Sequence, residues 1–180
     1  LAAPLRVKLD DGTAPSAGDC LITFQALLGS WPLDLAVDDQ SGIAAYAERL
    51  RQWQQKALRE AKLRSTWNAP NERYEQACHD FLDGLLMSPE AARLREALAV
   101  AVQAIAAPGA LNSLSQTLLR LTAPGIPDLY QGCDYWDFSL VDPDNRRPVD
   151  YRARAASLAS TEPTAQLLTH WRDGRIKQRL

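Results

Sequence analysis

Cysteine, histidine and methionine are scarce in this sequence, at three, two and one among 180 residues. Cys20, Cys78 and Cys133 are odd in number and show no CxxC spacing. They read as reduced thiols of a cytoplasmic protein rather than as a disulfide framework. His79 and His170 stand apart, without a Ser/His/Asp set or zinc spacing around them, and there is no phosphate-cradling or calcium loop. No metal and no cofactor is therefore expected. An excess of either charge is also missing: 20 Lys and Arg face 22 Asp and Glu, a net charge of −2. That removes any long-range pull toward nucleic acid or an anionic lipid surface. Leu98–Ala107 is an apolar run interrupted by Gln103, short of the roughly 18 residues of a span, so no membrane segment is expected. The opening LAAPLRVKLDDG has neither a basic leader nor a sustained apolar core, so no signal peptide is read there.

What remains is ordinary for a globular protein: 46% hydrophobic and 23% charged residues, enough for a real core. Five Trp and five Tyr against three Phe favour rings with a polar handle, which suits a carbohydrate or interface surface and equally a packed core. Residues 1–18 are aperiodic and read as loop. Asp19 is expected to cap a helix over Leu21, Ile22, Phe24, Leu27 and Leu28, ended by Gly29 and Pro32. Ile43, Tyr46, Ala47, Leu50, Trp53, Ala57, Leu58 and Ala61 follow the 3.6 period of a long amphipathic helix. Asn68–Asn71 breaks it, with Trp67 and Asn71 assigned to packing and capping there. Tyr74, Ala77, Cys78, Phe81, Leu82 and Leu85 then line the next helix. Ser88-Pro89-Glu90 is a start signal for a helix running to Pro108–Gly109, and a separate one is expected over Leu111–Leu121. Shorter helices are expected over Arg152–Ala159 and Gln166–Trp171. No internal repeat is found.

The exception to this helical pattern is Pro124–Asp150, 27 residues of Pro, Gly, carboxylates, paired arginines and four aromatics. A stretch of that length is too long for an ordinary connection, and its aromatics argue against disorder. Pro127–Gln131 reads as one brief strand between two glycines. An isolated strand leaves backbone groups unpaired, so it is expected to belong to a sheet whose other members are not in the chain.

A helix ending in PG, a short strand, then a loop containing DPDNR resembles the end of the (β/α)8 barrel of the α-amylase superfamily, glycoside hydrolase family 13. Five ordered runs narrow the resemblance. FQALLGSWP (24–32), KALREAKLRSTWNAPNERYEQA (56–77), GALNSLSQTLLRLTAPGIPDLYQG (109–132), WDFSLVDPDNRRPVDY (136–151) and WRDGRIK (171–177) are similar to the maltooligosyltrehalose synthase family. The resemblance implies an intramolecular transglucosylation, which turns the reducing-end α-1,4 link of a maltooligosaccharide into an α,α-1,1 (trehalose) link. It also implies a carboxylate nucleophile and acid–base of the retaining type. These belong to earlier barrel strands, and the HDTKRSED-like run of the third carboxylate is absent from residues 1–18. Cys20–Leu21 and Arg64 depart from the family's Glu–Tyr and His.

The resemblance thus implies a mainly α chain: loop 1–18, a helical insertion 19–109, the end of the barrel 110–160 (helix, eighth strand, substrate loop, helix), and the start of a further region 161–180. The absence of an initiating Met at Leu1 reads as a cut from a longer polypeptide, inactive alone, with the rest of the barrel as partner. Asp142 and Arg146 are the leading contacts for a sugar, since a carboxylate accepts from vicinal hydroxyls and a guanidinium donates in a fixed fork. Their alternative is a mutual salt bridge that pins the loop. Asp144, Asn145 and Arg147 are read as shaping the loop, since Asp and Asn beside Pro favour turns, with contact to a second sugar as the alternative for Arg147. Tyr130 and Gln131 fall at the strand's C-terminal end, where barrel enzymes keep their sites. Trp136, with Tyr135, either stacks on a pyranose or anchors the loop. Lys56, Arg59 and Lys62 form one basic edge, for a glucan, for the missing barrel, or for solvent and i,i+4 pairing. No catalytic residue is assigned. The rival readings are a non-catalytic helical glucan-binding or interaction module, and a piece of another amylase-type glucanotransferase or hydrolase.

Overall fold

The computed structural model describes residues 2–180. The chain divides into two units. One runs to Val102 and regains Ser139–Arg146; the other comprises Gln103–Phe138 and Arg147–Leu180.

The first unit opens with a hairpin, β1 (Val7–Leu9) and β2 (Gly12–Ala14), antiparallel with Lys8 opposite Thr13. The expectation of plain loop over residues 1–18 is corrected here. The signal was the Asp10-Asp11-Gly12 turn between short β-capable runs, and Gly12 takes a φ of 136° that a side chain would resist. Helix α1 (Ala17–Ser30) follows, capped by Ser16 rather than Asp19. The Ser16 hydroxyl accepts from the Asp19 amide at 3.2 Å and donates to the Asp19 carboxylate at 2.6 Å. Asp19 thus lies in the first turn, where its charge favours the helix dipole.

Helix α2 (Gln40–Ala61) is capped by Asp39 and ends at Lys62, whose φ of 55° turns the chain back. Helix α3 (Glu72–Leu86) is capped by Asn71, which accepts from the Tyr74 amide at 3.0 Å. The two apolar stripes behave as their periods predict. Ile43, Tyr46, Leu50 and Trp53 of α2 meet Phe81, Leu82, Leu85 and Leu86 of α3, with Leu27 and Trp31 of the α1 end, in one buried cluster. Inside it, Tyr46 donates to the Leu27 carbonyl at 3.2 Å and packs edge-on against Trp31.

A single 3-10 turn at Pro89–Ala91 precedes helix α4 (Ala92–Thr122). Ser88 does not cap it; its hydroxyl donates back to the Gly84 carbonyl at 2.9 Å. Buried Arg95 instead ties the region together, donating to the carbonyls of Val37, Leu86 and Ser88. The unit boundary falls inside α4, after Val102. The expected break at Pro108–Gly109 does not occur: Pro108 lies inside the helix. Proline there deletes one ladder hydrogen bond, and good helix formers on both sides carry the helix through. Ala97–Leu119 contains no charged residue. By length and composition alone this helix is apolar enough to cross a membrane, which corrects the expectation that no run qualifies.

In the second unit, residues 126–130 form no strand. Among the described residues the sheet has two strands, β1 and β2, and nothing pairs with this run. Ile126 is 98% exposed, as an unpaired strand-like segment would be. Helices α5 (Tyr151–Ala159), α6 (Thr164–Thr169) and α7 (Arg175–Gln178) complete the unit. Trp136 packs edge-on against Trp171 and its indole donates to the Trp171 carbonyl at 2.6 Å. Gly174, at φ 83°, allows this approach, because a Cβ there would come within 2.8 Å of the Trp136 amide nitrogen. The mainly helical fold expectation therefore holds, with the strand placed elsewhere.

Candidate functional site

The polar residues of α2 recur at helical spacing opposite its apolar stripe. Gln52, Gln55, Lys56, Arg59 and Glu60 therefore project from one side. Beyond Lys62, the link to α3 is folded by its own hydroxyls. Ser65, buried, donates to the Glu75 carboxylate and accepts from the Asn71 amide at 2.9 Å. Thr66 Oγ1 accepts from the Ala69 amide at 2.9 Å. Trp67, between them, is 53% exposed.

The third wall comes from residues 139–146. Asp144 is buried there, bound in a two-pronged pair by Arg49 of α2 at 2.8 and 3.0 Å, and it accepts from the Leu140 amide at 2.8 Å. This pair fixes the loop on α2 and presents Asp142. One Asp142 oxygen accepts from Lys56 Nζ, and the other accepts from Arg146 Nη2 at 2.9 Å. The Lys56 ammonium, with help from Arg146, holds the Asp142 carboxyl below the usual carboxylate range. Asp142 is thus ionised near neutral pH, and each oxygen retains a lone pair for a further donor. Lys56 also lies 3.7 Å from Glu60.

Gln52, Gln55, Lys56, Glu60, Trp67, Asp142 and Pro143 line an open hollow of about 430 Å³. Its far wall is stiff. Arg59 grips buried Glu75 through two bonds of 2.8 and 2.7 Å and lies 5.0 Å from the Trp67 ring centre. Two carboxylates, an ammonium, two amides and an aromatic ring line the hollow, groups that can donate to and accept from hydroxyls. Among the described residues, no group of three or more His, Cys, Asp or Glu is arranged to hold a metal ion.

The residues singled out from the sequence divide between the units. Asp142, Asn145 and Arg146 belong to the first, with Asp142 in the hollow, Arg146 paired to it and the Asn145 Oδ1 buried without a hydrogen bond. Tyr130, Gln131, Trp136 and Arg147 belong to the second. Tyr130 and Gln131 are exposed, and Trp136 is engaged with Trp171. Tyr135 lies under the Arg154 guanidinium, 4.6 Å away, while Arg154 also bonds Asp134 and the Gly132 carbonyl. The basic edge does not act as one surface: Lys56 turns to Asp142, Arg59 to Glu75, and Lys62 ends the helix. Sequence reasoning missed Gln52, Gln55 and the exposure of Trp67. The first two were legible as polar positions in phase with Lys56. The pairing of residues 49 and 56 with residues 144 and 142 had no local signal.

A Mycobacterium tuberculosis protein named as a maltooligosyl trehalose synthase is 39% identical over 149 residues, covering 83% of this chain and 18% of that protein. A crystal structure of a maltooligosyl trehalose synthase superposes with a TM-score of 0.71 at 29% identity, over 89% of this chain. That of the Arthrobacter ramosus maltooligosyltrehalose synthase gives 0.65 at 34% identity, over 87%. The chain is homologous to one stretch of the maltooligosyl trehalose synthases. It spans about a fifth of the length of the maltooligosyl trehalose synthases it matches. No protein-family model matches it. Both the curated and the structural relatives carry the same family name as the five sequence runs suggested.

Proposed function

We propose that this chain is a segment of a maltooligosyl trehalose synthase and that its part is to hold an α-1,4-glucan while other parts of the parent rearrange its reducing-end link. The observation that carries this is Asp142: ionised, fixed from behind by the Arg49–Asp144 pair, and placed at the edge of a polar hollow with Lys56 and Arg146 on its two oxygens. The salt bridge weighed as the alternative is present, and it prepares the site rather than competing with it. Two cations keep the carboxylate charged and oriented, and a sugar's vicinal hydroxyls replace water on its remaining lone pairs.

On this reading residues 110–160 correspond to the end of the parent's (β/α)8 barrel, of the glycoside hydrolase 13 type. The rest of that barrel is the partner, and the catalytic carboxylates lie outside this chain. The DPDNR run and the family likeness support that assignment. The three unpaired thiols favour a cytoplasmic setting. Calorimetric titration with maltopentaose tests the binding claim. Asp142→Ala and Arg146→Ala are each expected to weaken affinity by about tenfold or more, near 1.4 kcal/mol. Unchanged affinity in both refutes the assignment, and trehalose-ended product from the chain alone refutes the division of labour.

A further inference from the structure

The hollow on α2 extends from Asp142 to a residue that binding at Asp142 does not require. Trp67 is 53% exposed, although a large apolar ring gains most by burial. It is nevertheless held in place. The Arg59 guanidinium lies 5.0 Å from its ring centre, and Arg59 is itself fixed by two bonds to buried Glu75. The Thr66–Ala69 turn that carries the ring is closed by its own hydroxyl. An exposed aromatic ring fixed before any ligand arrives loses little freedom on binding, the usual advantage of a preorganised contact.

We propose that Trp67, with Gln52 and Gln55, forms a second glucosyl-binding position, continuous with the one at Asp142. This rests on the glucan reading above and extends it to a site with its own residues. The chemistry of the lining selects the ligand. Lys56 is offset by Asp142 and Glu60, so the hollow repels phosphate or any other multivalent anion. Gln52 donates to Glu48 at 2.9 Å and Gln55 bonds Glu75, so a purely apolar ligand would cover their remaining hydrogen-bonding positions and the Asp142 carboxylate without satisfying them. A pyranose satisfies both demands: its C–H face lies on the indole and its hydroxyls meet the amides and Asp142. The volume of about 430 Å³ lies in the range of small-molecule sites and accommodates about one or two such rings.

The test uses the 180-residue chain, titrated with maltose and maltopentaose while the tryptophan indole N–H signals are followed by NMR. The Trp67 signal is assigned as the one absent from Trp67→Phe. Maltopentaose is expected to shift that signal. Trp67→Ala should weaken maltopentaose roughly 5- to 20-fold and maltose less than about 2-fold, while Trp67→Tyr, which keeps a platform, stays within about 3-fold of the original. A structural role alone would change the thermal midpoint in Trp67→Ala without moving the indole signal or separating the two sugars, and that result overturns the inference. If Asp142→Ala abolishes binding but Trp67→Ala leaves both affinities unchanged, the second position is overturned and the first stands. If no saturable binding of maltopentaose appears up to about 10 mM, both readings fall.

Discussion

The Arg49–Asp144 pair makes a sharp stability prediction. Asp144 is buried, and its carboxylate is held by two guanidinium bonds of 2.8 and 3.0 Å and by the Leu140 amide at 2.8 Å. Removing a cation from a buried pair strands the anion, which typically costs about 3–5 kcal/mol. The Arg49 side chain is 19% exposed, so water offsets part of the loss, and Arg49→Ala is expected to destabilise the first unit by roughly 2–4 kcal/mol. With a urea dependence of about 2 kcal/mol per M, the unfolding midpoint should drop by about 1–2 M. Tryptophan emission reads this best in a Trp136→Phe, Trp171→Phe background, which confines the reporting rings to the first unit. Asp144→Asn should cost less, about 1–2 kcal/mol, because it keeps an acceptor for Leu140 and leaves only a partly hydrated cation behind. A midpoint shift below about 0.3 M for Arg49→Ala would refute the reasoning, since it would mean the buried carboxylate does not need its partner.

Two further outcomes follow from buried titratable groups. The Arg59 guanidinium holds the Glu75 carboxyl below its ordinary value of 4.5, with Ser65 and Gln55 adding to the effect. A depressed carboxylate contributes stability that is present above that ordinary value and is lost as pH falls through the lower folded value. The unfolding midpoint should therefore decline between about pH 5 and 3, and Glu75→Gln should flatten that decline; equal slopes in the two proteins would contradict it. Burial pushes the Cys78 thiol up to about 12, and the side chain is fully enclosed. With a disulfide reagent at pH 8, Cys78 should stay unreacted until urea unfolds the chain, while Cys20 and Cys133, partly exposed, react first. Uniform reaction of all three in the native protein would show that the α2–α3 packing is not as closed as described.

Much of the helical core was legible because its signals are local. The 3.6 period of Ile43, Tyr46, Leu50 and Trp53 marks one face of α2, and the same period from Tyr74 to Leu85 marks α3. Asn71, ahead of α3, was equally visible as a cap. Local punctuation misled in two places. Pro108-Gly109 looks like a stop, yet α4 continues through it, because one lost hydrogen bond is a smaller penalty than ending a long run of helix formers. Pro127–Gln131 looks like a strand, yet a strand exists only through its neighbour, and none of the described residues pairs with it.

For the site, the DPDNR motif marked Asp142 and Arg146 as candidate hydrogen-bonding partners for a ligand's hydroxyls, and the five runs marked the family whose solved members superpose on the chain. That much the sequence determined by itself, since residue type and short-range spacing are enough to state hydrogen-bonding capacity and ancestry. Only the tertiary structure decided that Asp142 meets Lys56 across 86 positions of chain, that Asp144 rather than Asp142 is the buried anchor, and that Trp67 is left open beside them. Such pairings carry no periodic or local signal. They are set by which faces of α2 the core consumes, and so by which polar positions remain outside to meet the returning loop.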